Sequence, residues 1–519
     1  MKKRILFYLL VTFIVSSTIF VGFTLAASPT GTLTVANTYQ PDTMDPIRVD
    51  NNIIFYMTLV HDTLVGATPE GELSTDTGIA HKWEMSPDGK VWTFYLRKGI
   101  KFHNGDEVTA EDVKFSLNRV ISPYGLSTFS PALRKTIERI ETLDRYTVRI
   151  YCKVPAPLLS YDLSSMSGAE GYVLPKKYIE KHGNTHFAQN PIGTGPYKVV
   201  EAVGGYHIKM EAAFDRHWLL GPLKYKNVVF RLIPEELVRV GAIKTGEVDI
   251  AYIGPDRVDG LKAAGYTILQ DPGTVVPFFT TTEQWNEKHP VHNKKVRQAL
   301  ALAINGEEIF KHIFHGIGRL TGNCNAIRGS MGYKDFPPYP YDPQKAKELL
   351  KEAGYPDGFE IKLHSFPAGY WFPTLPRAFE LVASYFEKIG VKPKIIPYAD
   401  YSSFRPKFVG HELEGGIVAN ASGGRANPLK SMNLWWHGKS LARFAEASEL
   451  TNMIEKATST LDEKERIELI QKIAEYTYLN YNTLWSLEFA SPYVISKKLE
   501  PWELGYLPFD INLRDVVRQ

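Results

Sequence analysis

Cysteine is nearly absent from this chain, since Cys152 and Cys324 are the only two among 519 residues. A scaffold held together by several disulfides is therefore excluded. The two thiols could form one bridge in an oxidising compartment. Cys152, however, lies in the strand-like run 146–154, while Cys324 lies in a loop that we place in a different part of the fold. We expect two isolated, inert thiols.

An excess of charge of one sign is also lacking. The chain has 60 basic and 57 acidic residues, and removing the three cations of its first segment leaves 57 of each. A neutral surface without a basic run argues against a nucleic-acid partner, whose binding depends on phosphate neutralisation. With 44% hydrophobic and 23% charged residues, the composition also excludes a polytopic membrane protein and a disordered chain.

A long hydrophobic run occurs at the N-terminus. Lys2, Lys3 and Arg4 precede an apolar stretch that ends at small residues, which predicts a signal peptide over residues 1–27, cleaved near Ala26 or Ala27. The alternative is an uncleaved anchor, because the run is roughly long enough to span a bilayer. Neither flank offers the cysteine that a lipoprotein anchor requires.

Catalytic and metal-binding motifs are missing. His182 and His186 are four residues apart, but Gly183 breaks the helix that would present both to a metal. No G-x-S-x-G elbow, phosphate-cradling loop or Cys/His cluster is present. We therefore predict that the protein has no metal or cofactor and is not an enzyme.

The most informative stretch that is present runs over residues 80–121. Residues 91–97 alternate between apolar and polar, as a half-buried strand does, and Ser86-Pro87-Asp88-Gly89 before them predicts a turn. Asn104-Gly105 marks a second turn, and Thr109 to Asp112 has the pattern of a capping box that begins a helix. The helix has an apolar stripe of Val113, Leu117, Val120 and Ile121.

This block resembles the signature of the family 5 extracellular solute-binding proteins, which include the oligopeptide- and dipeptide-binding components of ABC importers. Residues 190–198, Asn-Pro-Ile-Gly-Thr-Gly-Pro-Tyr-Lys, resemble a second family element, and residues 40–46 resemble the family segment that enters the ligand cleft. The run ending at 244–250 is similar to a family helix that ends in Gly-Glu-x-Asp. We interpret the glycines of the second element as permitting a tight crossing between lobes.

The second half of the chain contains helices with recognisable ends. Asn293 is placed to cap a helix over 294–305, and Asp342 with Pro343 begins another that Gly354 ends. A third helix over 374–389 is followed by a strand over 391–397. Helices that alternate with strands predict an α/β lobe.

The resemblance implies an α/β, periplasmic-binding-protein-like fold of type II, similar to cluster C, with two lobes and an additional subdomain. Lobe I is expected to combine residues 28–75, 190–280 and 490–519. Residues 76–189 would form a subdomain inserted in lobe I, and residues 281–489 would form lobe II.

A binding protein of this kind needs a cleft lined by aromatic faces and a few oriented polar groups, which closes by lobe motion. In lobe I we predict ligand contacts from Gln40, Tyr124 and Phe129, with Ser130 beside them. In lobe II we predict Tyr370, Trp371, Phe404, Arg405, Asn420, Arg425, Asn427, Trp435, Trp436 and His437. We interpret Trp435 and Trp436 as an extended pair, so that one of the two faces the cleft.

The ligand class is left open by the residues. By resemblance, peptide-binding members carry an aspartate for the ligand's amino group where this chain has Asn420, so Asp42, Glu412 or Glu414 would have to replace it. The first hypothesis is a monomeric extracytoplasmic receptor that hands a peptide or peptide-like solute to ABC permease subunits at the membrane. Alternatives are a neutral oligosaccharide or opine-like solute in the same role, and a secreted enzyme or chaperone-like binder.

Overall fold

The computed structural model describes residues 28–41, 43–48, 54–68, 71–127, 129–366, 374–413, 415–423, 427–440, 442–445, 447–505 and 511–517. The expected signal peptide, residues 1–27, lies outside these ranges. Within them, no helix is long and apolar enough to cross a membrane.

The strands of the described residues are mostly short. In chain order they are β1 Thr32–Asn37, β2 Gly66–Ala67, β3 Leu73–Ser74, β4 Ala80–Met85, β5 Val91–Leu96, β6 Ile137–Asp144, β7 Thr147–Cys152, β8 Tyr197–Val203, β9 His207–Ala212, β10 Arg216–His217, β11 Gly221–Pro222, β12 Asn227–Leu232, β13 Ile250–Tyr252, β14 Thr267–Gln270, β15 Val275–Thr281, β16 Arg319–Leu320, β17 Glu360–Ser365, β18 Lys392–Pro397, β19 Ile417–Gly423, β20 Thr483–Glu488 and β21 Pro492–Ile495.

The helices alternate with these strands. They are α1 Ile54–Val60, α2 Ala110–Ile121, α3 Ser130–Thr136, α4 Leu159–Asp162, α5 Lys176–His182, α6 Asn184–Gln189, α7 Glu236–Thr245, α8 Val258–Ala263, α9 Lys294–Ala303, α10 Gly306–His312, α11 Pro343–Glu352, α12 Leu375–Lys388, α13 Tyr401–Val409, α14 Leu429–Trp436, α15 Ser448–Ser459, α16 Glu463–Leu479 and α17 Leu513–Val517.

Three larger sheets organise the chain. The first has the order β14-β21-β13-β1-β12-β9-β8, the second β4-β5-β7-β6, and the third β16-β20-β15-β19-β17-β18. In the first sheet β1 pairs in parallel with β12 and β13, and in the third β17 pairs in parallel with β18 and β19. We propose that the first and third sheets are the frameworks of lobes I and II and that the second belongs to the subdomain. On this division β15, which the sequence prediction places in lobe I up to residue 280, belongs to lobe II.

The predicted starts of α9 and α11 are confirmed, and so is the predicted end of α11. The Asn293 side chain accepts a hydrogen bond from the Lys295 backbone at the start of α9, and Asp342 caps α11 in the same way. The α9 helix ends two residues earlier than predicted, at Ala303. Gly354 follows α11 with φ +90°, a conformation that costs glycine little.

The block at 80–121 folds as predicted. Strands β4 and β5 form an antiparallel pair, and the apolar residues Phe94 and Leu96 are buried. At the start of α2 the Asp112 carboxylate accepts hydrogen bonds from the Thr109 backbone and hydroxyl, at 2.9 and 2.7 Å. These bonds complete the capping box that the sequence predicts.

The interpretation of Gly193 and Gly195 as a crossing between lobes is wrong. The two glycines pack on the C-terminal end of α1, where a Cβ on Gly193 would lie 2.0 Å from the Val60 carbonyl oxygen. His103 holds the same turn, because its Nε2 donates to the Gly195 carbonyl at 2.9 Å and its Nδ1 accepts from the Gly193 N–H at 3.2 Å. The two signature elements therefore bind each other, and the glycines serve close packing inside lobe I.

Candidate functional site

The chain passes between the first and third sheets at two neighbouring places. Residues 271–274 connect β14 to β15, and residues 489–491 connect β20 to β21. The strands β14 and β21 are paired on one side, and β15 and β20 are paired on the other. We propose that these two crossings form the hinge between the lobes.

The first crossing is tightly hydrogen-bonded. Asp271 is 4% exposed, and its Oδ1 accepts from the backbone N–H groups of Gly273 and Thr274 at 2.9 and 3.0 Å. Burial raises the pKa of the Asp271 carboxyl to about 6. The hinge therefore contains a titratable group with a pKa just below neutrality.

Away from the hinge, the subdomain meets the third-sheet region through charged side chains. Lys430, on α14, points its ammonium at Asp162 at the end of α4, with Nζ to Oδ1 3.2 Å. The same Nζ bonds to the Ser167 hydroxyl and lies 4.3 Å from the centroid of the Phe129 ring. We call the set of contacts formed by Phe129, Asp162, Ser167, Glu170, Asn427 and Lys430 the interlobe crevice.

A second carboxylate lies on the subdomain side of the interlobe crevice. Glu170 is fully buried, and its Oε1 accepts from the Phe129 backbone N–H at 3.1 Å. Its Oε2 has no hydrogen-bond partner among the described residues. Burial raises the pKa of Asp162, the positive charge of Lys430 opposes this, and the negative charge of Glu170 adds to it.

The opposite side begins at the end of β19. Asn427 Nδ2 reaches Asp162 at 3.5 Å, while its Oδ1 accepts from the Leu429 N–H at 3.1 Å and so helps to start α14. Asn420, within β19, is 4% exposed, and its Nδ2 has no partner among the described residues. The carboxyl ends of β17, β18 and β19 point to the same edge, which is where ligands bind in open α/β sheets.

Of the predicted contact residues, Phe129 and Asn427 are brought together in the interlobe crevice. Gln40 instead donates from Nε2 to the Val203 carbonyl at 3.1 Å, in the turn between β8 and β9. Tyr124 donates to Asp45 at 3.1 Å, and Asp45 is also paired with Arg119 at 2.6 Å. Tyr124 thus contacts a buried ion pair between Asp45 and Arg119.

The interpretation of Trp435 and Trp436 as an extended pair is wrong, because both lie in the last turn of α14. Trp435 is 8% exposed and donates to the Ser422 hydroxyl at 3.1 Å, and Trp436 is fully buried and donates to Asn325. Both rings contact the side chain of Phe278. Helical spacing turns successive side chains by roughly 100°, so both can pack into the core.

Three further predicted residues lie away from the interlobe crevice. Phe404 is fully buried and stacks on Phe366 with ring centroids 4.4 Å apart. Arg405 is exposed on α13, and His437 bonds to Glu455 at 3.1 Å. The predicted residues that lie outside the described ranges are Tyr370, Trp371 and Arg425, together with Asp42 and Glu414 among the acidic candidates.

Sequence reasoning missed Asp162, Glu170 and Lys430. Asp162 and Glu170 stand in a Ser-rich stretch without periodic pattern, and Lys430 is 268 positions from Asp162 in the chain. One weak signal was available, because Lys430 lies next to the loop 420–427 that was selected by resemblance. Nothing local to either segment indicates that the two meet.

The expectation of two separate thiols is confirmed, since Cys152 and Cys324 are both free and buried. Burial raises their pKa values to about 11 and about 12, which leaves both as protonated thiols near neutral pH. Among the described residues no group of His, Cys, Asp and Glu is arranged to hold a metal ion.

Comparison with known proteins agrees with this architecture. The Helicobacter pylori periplasmic binding protein DppA, solved in complex with the peptide STSA, is 25% identical with a TM-score of 0.78, and the match covers 92% of this chain and 96% of that one. The binding protein AgaA from A. tumefaciens R10, in complex with agropinic acid, is 26% identical with a TM-score of 0.75, covering 90% and 94%. The predicted periplasmic-binding-protein-like fold with two lobes is confirmed.

Sequence comparison identifies the same group. The dipeptide-binding protein of Escherichia coli strain K12 is 34% identical over 347 residues, which are 62% of this chain and 63% of that protein. The match thus spans less than two thirds of the length of that relative. The family model for the middle region of bacterial extracellular solute-binding proteins, family 5, matches residues 76–442. This chain belongs to the family 5 bacterial extracellular solute-binding proteins.

Proposed function

We propose that this protein captures a peptide or peptide-like ligand between its lobes, outside the cytoplasm, and delivers it unaltered to the permease subunits of an ABC importer. Support comes from the family and from two relatives, of which one is a dipeptide-binding protein and the other was solved with a peptide. The proposal includes a monomer without enzymatic activity.

The observation that carries the proposal is the interlobe crevice itself. Its charged groups come from the two regions that we assign to different lobes, with Asp162 and Glu170 on one side and Lys430 on the other. A ligand that contacts both sides binds the closed form better than the open form, so it shifts the population towards closure. Closure is the change that a permease can recognise.

The charges also favour a peptide over a neutral oligosaccharide. A sugar site needs exposed aromatic faces for stacking, but Trp435 and Trp436 are packed in the core of the third-sheet region. A peptide carries an ammonium and a carboxylate, which match charges of both signs. The opine seen with AgaA remains an outcome for the same test, since it too is charged.

The test is a thermal-shift screen of the purified protein with dipeptides, tetrapeptides, neutral oligosaccharides and an opine. A specific ligand at a hundredfold its Kd stabilises the folded state by about 2.7 kcal/mol. We expect peptides to do so and mass spectrometry to recover them unchanged. Stabilisation by oligosaccharides alone, or conversion of the ligand into a new product, would contradict the proposal.

A matched pair of variants connects the binding to the interlobe crevice. Lys430→Ala alters the group that touches both sides, whereas Lys439→Ala removes an exposed lysine three residues beyond α14. Peptide affinity should change in the first variant and stay at the wild-type value in the second. Equal affinities in all three proteins would place the ligand elsewhere.

A further inference from the structure

We call the position of the Lys430 ammonium the seat, because the side chains around it are of the kinds that bind cations. The Lys430 Nζ lies 3.2 Å from a carboxylate oxygen of Asp162 and donates to the Ser167 hydroxyl. It also lies 4.3 Å from the centroid of the Phe129 ring. A carboxylate, a hydroxyl and an aromatic face are the three kinds of group that hold a primary ammonium in proteins. All three come from the subdomain, whereas the lysine comes from the other side of the interlobe crevice.

Two carboxyl groups, those of Asp162 and Glu170, lie near the single ammonium of Lys430. The pKa of the Asp162 carboxyl is raised mainly by burial. Lys430 lowers this pKa, and the negative charge of Glu170 raises it further. Glu170 is fully buried, and its Oε2 has no partner among the described residues. A buried, unpaired carboxylate oxygen is costly, so a cation that bonds to Glu170 Oε2 as well as to Asp162 is bound better than Lys430, which bonds to Asp162 but not to that oxygen.

We propose that Phe129, Asp162, Ser167 and Glu170 form a cation subsite that receives the primary ammonium group of the ligand, and that Lys430 occupies this subsite when no ligand is bound. The subsite is distinct from the position of Asn420, which is an uncharged amide on the opposite lobe. Only the identity of the natural ligand rests on the proposed function.

This assignment accounts for two features at once. The chain carries an uncharged amide at Asn420, yet it has two carboxyl groups at the interlobe crevice. It also explains why Lys430 extends from α14 to side chains of the subdomain, since its ammonium is the same chemical group that the subsite receives from the ligand. The alternative is that Lys430 reads the ligand's carboxylate and that its pairing with Asp162 is structural.

Chemical rescue tests the subsite without knowledge of the ligand. In Lys430→Ala the seat is emptied, and n-butylammonium chloride supplies the missing group. We expect the melting temperature that the variant loses to be recovered with butylammonium, and not with n-butanol or sodium chloride. The double variant Asp162→Asn/Lys430→Ala should not respond, and neither should Lys439→Ala.

Should Lys430→Ala fail to fold, Lys430→Gln keeps most of the side-chain packing, and methylammonium then replaces butylammonium as the probe. Absence of rescue in the folded variant, or equal rescue in the double variant, would overturn the cation subsite. These outcomes do not depend on whether the protein binds peptides.

A second experiment measures the binding of two ligands, alanyl-alanine with a free amino group and N-acetylated alanyl-alanine. Asp162→Asn should weaken binding of the free dipeptide by about thirtyfold or more, because it leaves a buried ammonium without its charge partner. N-acetylation in the wild type should weaken binding by a similar factor. Rescue by butylammonium without binding of either dipeptide would leave the subsite standing and refute the peptide proposal, whereas equal binding of both forms would overturn the subsite's role in reading an ammonium.

Discussion

The hinge carboxyl Asp271 gives a quantitative prediction about pH. It lies in the crossing from β14 to β15 and is 4% exposed, and burial raises its pKa to about 6. In the unfolded chain an aspartate has a pKa of about 3.9. The folded state therefore binds more protons than the unfolded state between these two values, and its free energy of unfolding falls as the pH rises through that window.

The size of the effect follows from the two pKa values. A difference of about two units corresponds to about 3 kcal/mol between full protonation and full ionisation of both states. Between pH of about 5 and about 7.5 the loss is about 1.4 kcal/mol, because at the lower pH the folded carboxyl is mostly protonated.

The perturbation is Asp271→Asn, which keeps an oxygen acceptor for the Gly273 and Thr274 N–H groups but cannot ionise. We expect the variant to gain about 1.4 kcal/mol relative to the wild type between pH of about 5 and about 7.5. Urea unfolding followed by tryptophan fluorescence at a series of pH values measures the difference.

The control is Ser486→Ala, a change of a buried, non-titratable residue in β20 whose hydroxyl bonds to the Thr321 carbonyl and not to Asp271. It should shift stability by the same amount at every pH. A constant difference between Asp271→Asn and the wild type would show that the hinge carboxyl does not titrate in this window and would refute the reasoning.

Three further predictions concern packing and charge. Gly195→Ala places a Cβ 2.5 Å from a backbone oxygen of α1, so we expect the free energy of unfolding to fall by at least about 3 kcal/mol, or the variant to fail to fold. Urea unfolding measures this loss, with Gly204→Ala as the control because no atom lies within 4 Å of the added Cβ there. A loss below about 1 kcal/mol would contradict the prediction. Arg514→Met removes the cation that lies 2.7 Å from the carboxylate of Asp62, whose side chain is 1% exposed. The free energy of unfolding should fall by about 3 to 5 kcal/mol, and α17 should detach from the fold. Hydrogen exchange would report this detachment, and unchanged exchange in α17 would count against the prediction. Because Cys152 and Cys324 are buried and their thiol pKa values are raised, neither should react with a thiol-specific chromogenic reagent at mildly alkaline pH until urea is added. Immediate reaction of either thiol in the native protein would disprove its burial.

Local signals predict local structure in this chain. The capping box at Thr109, the caps at Asn293 and Asp342, and the alternating strand over 91–96 all depend on residues within a few positions of one another. Their energetics are settled inside one element, so the sequence is sufficient to predict them.

The errors come from contacts between distant segments. An adjacent pair of tryptophans reads equally well as strand or helix, and only packing against Phe278 determines that they end α14. Gly193 and Gly195 indicate a close approach of backbone, but the sequence does not identify α1 as the partner. The family resemblance supplied the fold, which composition and periodicity alone leave open.

The candidate site is harder still to predict. The resemblance indicates Phe129 and Asn427 but not the charged groups around them, because Asp162 and Lys430 are 268 positions apart and meet only in the folded chain. Their pairing depends on the relative position of two lobes, which no local pattern records.

The two chain crossings have a mechanical consequence. Both crossings run between a pair of hydrogen-bonded strands in the first sheet and a pair in the third sheet. We therefore expect them to allow rotation of the lobes about one axis. Displacement then grows with distance from that axis. The tip at Gly89, where an added Cβ would meet Leu461 at 2.3 Å, touches the other lobe through a residue of the α15–α16 connection. Spin labels on Asp88 and Glu463 should therefore report a larger change in separation on closure than any pair placed beside Asp271.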